Sequence, residues 1–104
     1  MFTLYEFSSS GNCYKLRLAM AQLGISFRRI EKDITRGETR ATDFLAINPN
    51  GRIPVLVTPD NKVLPESNAA LWYLGKDSKL MPEDDFQQAQ ALQWMFFEQY
   101  NHEP

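Results

Sequence analysis

The alternation of strand, helix and strand at the start of the chain constrains the fold more than any other feature of the sequence. Met1–Phe7 is apolar and aromatic and has the length of a buried strand. Ser10 is placed as the N-cap of a helix that Gly24 ends, and Ser26–Ile30 has the composition of a second strand. Such a unit favours a parallel pair of strands with the helix packed across them.

The middle of the chain adds two helices and two strands. Ile34–Arg40 is charged and predicts an exposed loop, and a strong turn signal, Asn48–Gly51, follows a short helix. The predicted elements are the helix Ala41–Ile47, the strands Ile53–Val57 and Lys62–Leu64, and the helix Glu66–Lys76. The hairpin adds antiparallel strands to the parallel pair. The order β-α-β-α-β-β-α predicts an α/β sandwich of the thioredoxin type with a mixed sheet.

The last segment predicts a helix that is apolar on nearly all sides. Asp84 is placed as its N-cap, and the helix is expected to reach Asn101. Apart from Gln93, Ala91–Phe97 is apolar, which is typical of a helix buried on several sides. We therefore expect an α/β domain over residues 1–82 and the start of a truncated all-α domain over residues 83–104. The alternative is a terminal helix packed only on the α/β domain.

Composition disfavours several classes of function. A formal net charge of −2 and a pI near 5.3 argue against a nucleic-acid partner and against a membrane surface. With one cysteine and one histidine, neither an internal disulfide nor a Cys/His metal site is expected, and His102 is expected to be solvated. The N-terminus has no basic region, and no apolar run is long enough to span a membrane, so we expect a cytoplasmic protein.

Two segments can bind an extended peptide. Pro54 interrupts a strand, which indicates either an edge strand or bulge, or a cis bond at Ile53-Pro54 that turns the backbone groups of Ile53 outward. Glu66-Ser67-Asn68 begins a helix whose free N–H groups can hold a carboxylate, while Glu66 can accept from an ammonium group. These groups fit the α-amino-acid end of a small peptide. Taken alone, however, plain helix capping is the simpler interpretation of Glu66, Ser67 and Asn68.

A third segment can stabilise a sulfur anion. Ser10 lies at the positive end of a helix dipole, where a thiolate is favoured. Because no base stands nearby in sequence, its hydroxyl suits donation to a ligand's sulfur better than nucleophilic attack, and the Asn12 amide can assist. The alternative for Ser10 is N-capping alone. Cys13, in the first turn, is expected to be a small buried hydrophobe.

In their order along the chain, these segments resemble the N-terminal domain of cytosolic glutathione transferases. The matching motifs are Ser10-x-Asn12-x-x-Lys15, Asn48-Pro49-Asn50-Gly51-Arg52-Ile53-Pro54-Val55-Leu56 and Glu66-Ser67-Asn68-Ala69-Ala70-Leu71-x-Tyr73-Leu74. The likeness covers residues 1 to about 80 and is strongest to bacterial members with serine or threonine at the first motif. The remainder resembles the first helix of that family's all-helical C-terminal domain.

The resemblance implies a glutathione thiolate site built on Ser10. Ser10 matches the residue that stabilises the thiolate, and Asn12 matches an assisting amide. Ile53, before the family's cis proline at Pro54, matches the residue whose backbone pairs with the cysteinyl part of glutathione. Since the sulfur comes with the ligand, Ser10 takes the place that a reactive cysteine holds in a C-x-x-C motif, and Cys13 is scaffold.

The resemblance also implies contacts to the two ends of glutathione. Glu66 and Ser67 match residues that contact the γ-glutamyl group. Thr39, Arg40 and Arg52 stand near the region that holds the glycine end, although that region varies in the family. Glutathione is then a co-substrate, and no metal is implied.

The function implied is a detoxifying transferase that adds glutathione to a small-molecule electrophile as a homodimer. A glutathione-dependent disulfide reductase and a non-catalytic binding or regulatory protein are the alternatives. Retention of Ser10, Ile53, Glu66 and Ser67 disfavours the non-catalytic alternative, and a glutaredoxin reaction would need its attacking thiol at position 10. In this family the electrophile pocket is built largely by the helical domain, so we expect this chain to hold half a site and to be inactive alone.

Overall fold

The computed structural model describes residues 1–102, and of His102 it describes the backbone alone. The prediction that the His102 side chain is solvated therefore lies outside the described part. The elements follow the order β1 (Phe2–Glu6), α1 (Gly11–Leu23), β2 (Phe27–Glu31), α2 (Thr42–Ile47), β3 (Val55–Val57), β4 (Val63–Leu64), α3 (Ser67–Gly75) and α4 (Asp85–Phe97). This order confirms the predicted α/β fold followed by a C-terminal helix.

The four strands form one mixed sheet in the order β2-β1-β3-β4. β1 is parallel to β2 and antiparallel to β3, with Tyr5 opposite Val55, and β3 is antiparallel to β4. The carboxyl ends of β1 and β2 and the amino end of β3 therefore lie at one edge of the sheet. That edge carries the loop that leads to Ser10 and the segment around Pro54.

Helices cover both faces of the sheet. Successive residues of a strand point to opposite faces, and β1 shows this alternation in Leu4 and Tyr5. Leu4 belongs to the main core with residues of α1, β3 and α3, namely Leu16, Met20, Leu56, Ala70 and Leu74. On the other face, the rings of Tyr5 and Phe44 of α2 meet edge to face, with centroids 5.9 Å apart. The α/β sandwich thus has α1 and α3 on one side and α2 on the other.

The segment predicted as an exposed loop is more ordered than expected. Ile34–Arg40 forms two 3₁₀ turns, Ile34–Arg36 and Glu38–Arg40, joined at Gly37 in the left-handed conformation. Thr39 is only 5% exposed. The expectation of an exposed loop is therefore wrong for Thr39, because the second turn directs this residue inward.

The chain divides into two compact units, Met1–Leu74 and Gly75–Pro104. In the second unit the Asp84 carboxylate accepts from the Gln87 N–H at 3.0 Å, which confirms the predicted N-cap of α4. A π-helical turn, Glu98–His102, follows α4.

The sequence pattern predicts a helix that is buried on several sides. Within residues 1–102, however, no residue of α4 is buried. Within the same residues, no helix is long and apolar enough to cross a membrane. The domain boundary predicted after residue 82 stays a prediction.

Candidate functional site

Ser10 caps α1 and retains an O–H donor at the helix start. Its backbone is extended, with φ −76° and ψ 128°, and its Oγ accepts from the Cys13 N–H at 3.3 Å. That bond uses an acceptor lone pair of the hydroxyl, so capping does not consume the O–H donor, which is within reach of the neighbouring Cys13 thiol. The capping role and the donor role considered for Ser10 are therefore compatible. The hydroxyl also lies at the positive end of a 13-residue helix.

The thiol of Cys13 is buried and is disfavoured as an anion. Cys13 is fully buried, and its Sγ accepts from the Phe7 N–H at 3.5 Å. Burial raises the pKa of the Cys13 thiol, and the hydrogen bonds from Ser10 and Phe7 oppose this rise without cancelling it. The burial predicted for Cys13 is confirmed, and the thiol is held in its neutral form.

The bond between Ile53 and Pro54 is cis. Of the two alternatives for Pro54, the cis bond is therefore confirmed. The strand predicted to begin at Ile53 begins at Val55 instead, because proline has no N–H to donate to the ladder. Ile53 is half-buried and lies just outside the sheet, next to the Tyr5–Val55 pair.

A buried asparagine fixes the turn that leads to Ile53. Asn48 is 2% exposed, its Nδ2 donates to the Arg52 carbonyl at 2.9 Å, and its Oδ1 accepts from the Asn50 N–H at 3.2 Å. Gly51 has φ +63°, and a Cβ there would lie 2.9 Å from the Thr39 carbonyl oxygen. The turn carrying Thr39 therefore lies directly against the turn that ends at Arg52. The sequence motif marked Asn48 only as a turn residue, and its burial is a tertiary effect.

The start of α3 is tied to α1 by a lysine. Ser67, the first residue of α3, is 7% exposed, while Glu66 before it is exposed. Lys15 Nζ donates to Asn68 Oδ1 at 2.8 Å, which joins the first and third motifs. Lys15 stands in the first motif, but no role was predicted for it. Its spacing five residues after Ser10 is the only signal that the sequence offers.

The structure thus brings most of the predicted residues to one end of the sheet. The Ser10 loop follows β1, the Ile53-Pro54 bond precedes β3, and the Lys15–Asn68 bond holds the start of α3 to α1. Asn12 is half-buried in the first turn of α1. Such an arrangement offers a hydroxyl donor, a backbone edge and a helix start to a short peptide.

The three residues predicted to lie near the glycine end of glutathione differ in their exposure. Arg40 and Arg52 are both exposed, whereas Thr39 is buried and meets Gly51 through its carbonyl. The binding role of these three residues stays a prediction. Among residues 1–102, no group of three or more His, Cys, Asp or Glu side chains comes together in a way that could hold a metal ion.

Sequence reasoning missed a buried ionic cluster behind the Ser10 loop. Glu6 is fully buried at the end of β1 and pairs with Arg17 of α1 and Arg29 of β2. Arg17 also donates to the carbonyl oxygen of Ser8 at 3.3 Å. The available signal was a carboxylate within an otherwise apolar strand, two residues after the buried Leu4.

Comparison with known proteins gives consistent relatives. The sequence model of the protein family "Glutathione S-transferase, N-terminal domain" matches residues 9–77. A crystal structure of a possible glutathione S-transferase from Rhodopseudomonas palustris superimposes with a TM-score of 0.95 at 51% identity, covering 99% of this chain and 50% of that one. Ure2p in complex with glutathione superimposes with a TM-score of 0.83 at 30% identity, covering 97% of this chain and 46% of that one.

The curated relatives include a protein named as a regulator. The transcriptional regulator URE2 of Saccharomyces cerevisiae is 33% identical over 99% of this chain and 32% of its own length. This chain thus spans about a third of that relative and about half of the solved structures. The family model covers well over half of the chain, and the Ile53-Pro54 cis bond and the Ser10 cap lie within the matched residues. On this evidence, the chain belongs to the glutathione S-transferase family.

Proposed function

We propose that this protein binds glutathione at the end of the sheet and stabilises its thiolate for attack on an electrophilic small molecule. The observation that carries the proposal is the Ser10 hydroxyl, which caps α1 with a lone pair and so retains an O–H donor at the helix start. The chemistry needs no protein nucleophile. The thiol proton leaves to solvent, and the sulfur then forms a bond to the electrophilic carbon while an electron pair moves to the leaving group.

The rate advantage comes from the thiolate fraction. A hydrogen bond to a charged group contributes about 1.5–3 kcal/mol, which corresponds to lowering a thiol pKa by about one to two units. Asn12, in the first helical turn, adds a second polar group beside Ser10. The burial that raises the pKa of the Cys13 thiol keeps that thiol out of the reaction.

The rest of glutathione is held by groups around Ser10. The backbone of Ile53 pairs with the cysteinyl part, and the start of α3 with Ser67 holds the γ-glutamyl carboxylate while Glu66 accepts from its ammonium group. The positive charges of Arg40 and Arg52 attract the glycine carboxylate.

Assays of the full-length protein distinguish the candidate functions. A glutathione-dependent disulfide reductase uses the same thiolate site, and the 33% identity to a transcriptional regulator supports a non-catalytic binding protein as the second candidate. The test is glutathione binding by calorimetry, followed by turnover of an aryl halide and of a small disulfide by the full-length protein. Turnover of the halide supports the transferase, and saturable binding without turnover supports the regulator. Absence of saturable glutathione binding overturns both.

Assembly is a further part of the proposal. α4 exposes Phe86, Trp94 and Phe96 to between 60% and 71%, and Tyr100 beyond it to 83%. Exposed aromatic surface of this kind is typical of an interaction surface. We expect a cytoplasmic homodimer, and a sedimentation mass equal to one chain at high concentration would contradict the dimer.

A further inference from the structure

The loop that presents Ser10 is held from outside by two side chains of opposite charge. The Ser8 N–H donates to Glu31 Oε2 at 3.0 Å, and the Ser8 hydroxyl donates to Glu31 Oε1 at 2.6 Å. Arg17 Nη2 donates to the Ser8 carbonyl oxygen at 3.3 Å. Every hydrogen-bonding group of Ser8, two residues before the cap, is therefore engaged.

Both of these side chains rest on fixed parts of the fold. Arg17 is also paired with Glu6, whose side chain is fully buried. Glu31 is the last residue of β2 and lies opposite Glu6 in the parallel register, and the next residue, Lys32, donates its N–H to the Glu6 carbonyl at 2.7 Å. The position of the Glu31 backbone is therefore set by the pairing of β1 with β2, and the carboxylate is held by its two bonds from Ser8.

The loop of residues 7–10 couples the position of Ser8 to that of Ser10. The Ser10 N–H donates to the Phe7 carbonyl at 2.9 Å, and the Tyr14 N–H donates to the Ser10 carbonyl at 3.0 Å. The remaining bond, from the Cys13 N–H to Ser10 Oγ, is 3.3 Å long, beyond the usual range for this type of bond. A long capping bond alone constrains the hydroxyl weakly, so its direction depends on the rest of the loop.

We propose that Glu31 is a positioning residue for Ser10, acting through the two hydrogen bonds that it accepts from Ser8. This role rests on the proposed function, in which Ser10 donates to a thiolate. The Ser8 hydrogen bonds hold the pKa of Glu31 below its ordinary value, so the carboxylate is charged at neutral pH. Its charge alone would disfavour a nearby thiolate, because like charges repel. Its hydrogen bonds and its charge therefore have opposite effects on the thiolate, and an experiment can separate them.

Two substitutions at the same position make the separation. Glu31→Gln and Glu31→Ala remove the same charge, but glutamine keeps an oxygen for the Ser8 N–H and an amide that can donate to the hydroxyl. We expect the pKa of bound glutathione in Glu31→Gln to equal or lie slightly below the wild-type value. In Glu31→Ala we expect a pKa higher by about half a unit, a fraction of the full effect of the Ser10 bond. For a wild-type pKa one to two units below about 8.5, this lowers the thiolate fraction at pH 7 by about 1.5- to 2.6-fold.

A control and a ligand-free measurement complete the test. Asp43→Asn removes one carboxylate that pairs with Lys32 while keeping an oxygen for the Phe44 N–H, and should not raise the thiol pKa. Hydrogen exchange at the Cys13 amide reports the Ser10 cap without glutathione, and should be faster in Glu31→Ala than in Glu31→Gln.

The outcomes distinguish the two proposals. A wild-type thiol pKa that is lowered, with equal values in the alanine and glutamine variants, overturns the positioning role of Glu31. If the pKa of glutathione bound to the wild-type protein is not lowered, the proposed function is refuted instead. Hydrogen exchange at the Cys13 amide then tests the role of Glu31 on its own. Faster exchange in the alanine variant supports the positioning role, and equal exchange in both variants refutes it.

Discussion

Replacing Ser10 by alanine tests the proposed chemistry directly. The substitution removes the hydroxyl at the N-cap of α1 and leaves the backbone bond from the Tyr14 N–H to the residue 10 carbonyl in place. Loss of a hydrogen bond to an anion, about 1.5–3 kcal/mol, should raise the pKa of bound glutathione by about one to two units. If the wild-type thiol titrates one to two units below about 8.5, the thiolate fraction at neutral pH falls roughly tenfold or more.

The same substitution has a predictable cost in stability. Loss of an N-cap costs about 0.5–2 kcal/mol, and the 3.3 Å length of the bond from the Cys13 N–H places Ser10 near the low end. For a domain of this size, a loss of 1 kcal/mol lowers the melting temperature by about 4–8 °C. The Ser10→Ala protein should therefore remain folded at room temperature, and its altered titration reports chemistry and not unfolding.

Cys13→Ala is the matched control, because it removes the thiol that lies in the same helical turn as the Ser10 cap. It removes one buried sulfur atom, which should cost about 1–2 kcal/mol in stability and leave the thiol titration of glutathione unchanged. The assay is the ultraviolet absorbance of the glutathione thiolate in the full-length protein, titrated with pH. Loss of the pKa shift in Cys13→Ala together with its retention in Ser10→Ala would refute the assignment of Ser10 and favour redox chemistry at the cysteine.

Three further expectations concern the scaffold and its pH dependence. Gly51→Ala should lose at least about 1 kcal/mol more stability in chemical denaturation than Gly24→Ala, because both have positive φ but only the first adds a Cβ 2.9 Å from a carbonyl oxygen; equal losses would contradict this. Glu6→Ala should lower the free energy of unfolding by about 3 kcal/mol. This is the low end for a broken buried ion pair, because the arginine partners of Glu6 are partly exposed. A loss of less than about 1 kcal/mol would count against a stabilising ion pair. The hydrogen bonds from Ser8 lower the folded-state pKa of Glu31, so their stabilisation is complete above 4.5 and disappears as pH falls through that lower pKa. A carboxyl carbon titration by NMR should show a midpoint below 4.5 for Glu31, and a midpoint at or above it would be inconsistent with these bonds.

Local signals explain the parts of the fold that could be predicted from sequence. The caps at Ser10 and Asp84 and the stop at Gly24 depend on residues within one turn, and each was found in the predicted place. Pro54 was informative for the same reason, since a proline in a strand leaves few possible backbone states. Element order then determined the mixed sheet, because a helical crossover favours a parallel pair and a tight hairpin gives an antiparallel one.

The candidate site was only partly predictable, because its remaining contacts join residues far apart in sequence. The bond from Lys15 to Asn68 spans 53 positions, and the bonds from Ser8 to Glu31 span 23. Neither pair has a local pattern, since both depend on which strands and helices become neighbours. Burial of Thr39 was likewise invisible, because a charged segment predicts exposure whereas the close approach of Gly51 encloses its carbonyl.

The two sulfur environments at the start of α1 have opposite requirements. A glutathione thiolate needs a donor at an accessible helix start, and the Ser10 hydroxyl supplies it without bringing a thiol of its own. A second thiolate nearby would be a competing nucleophile, and its attack on glutathione disulfide would form a mixed disulfide and release one glutathione thiolate. Cys13 is only three residues away, but its burial raises the pKa of its thiol and removes it from the surface. In the proposed function, the same turn of helix therefore favours the anion on the ligand while burial disfavours it on Cys13, so that glutathione alone supplies the sulfur.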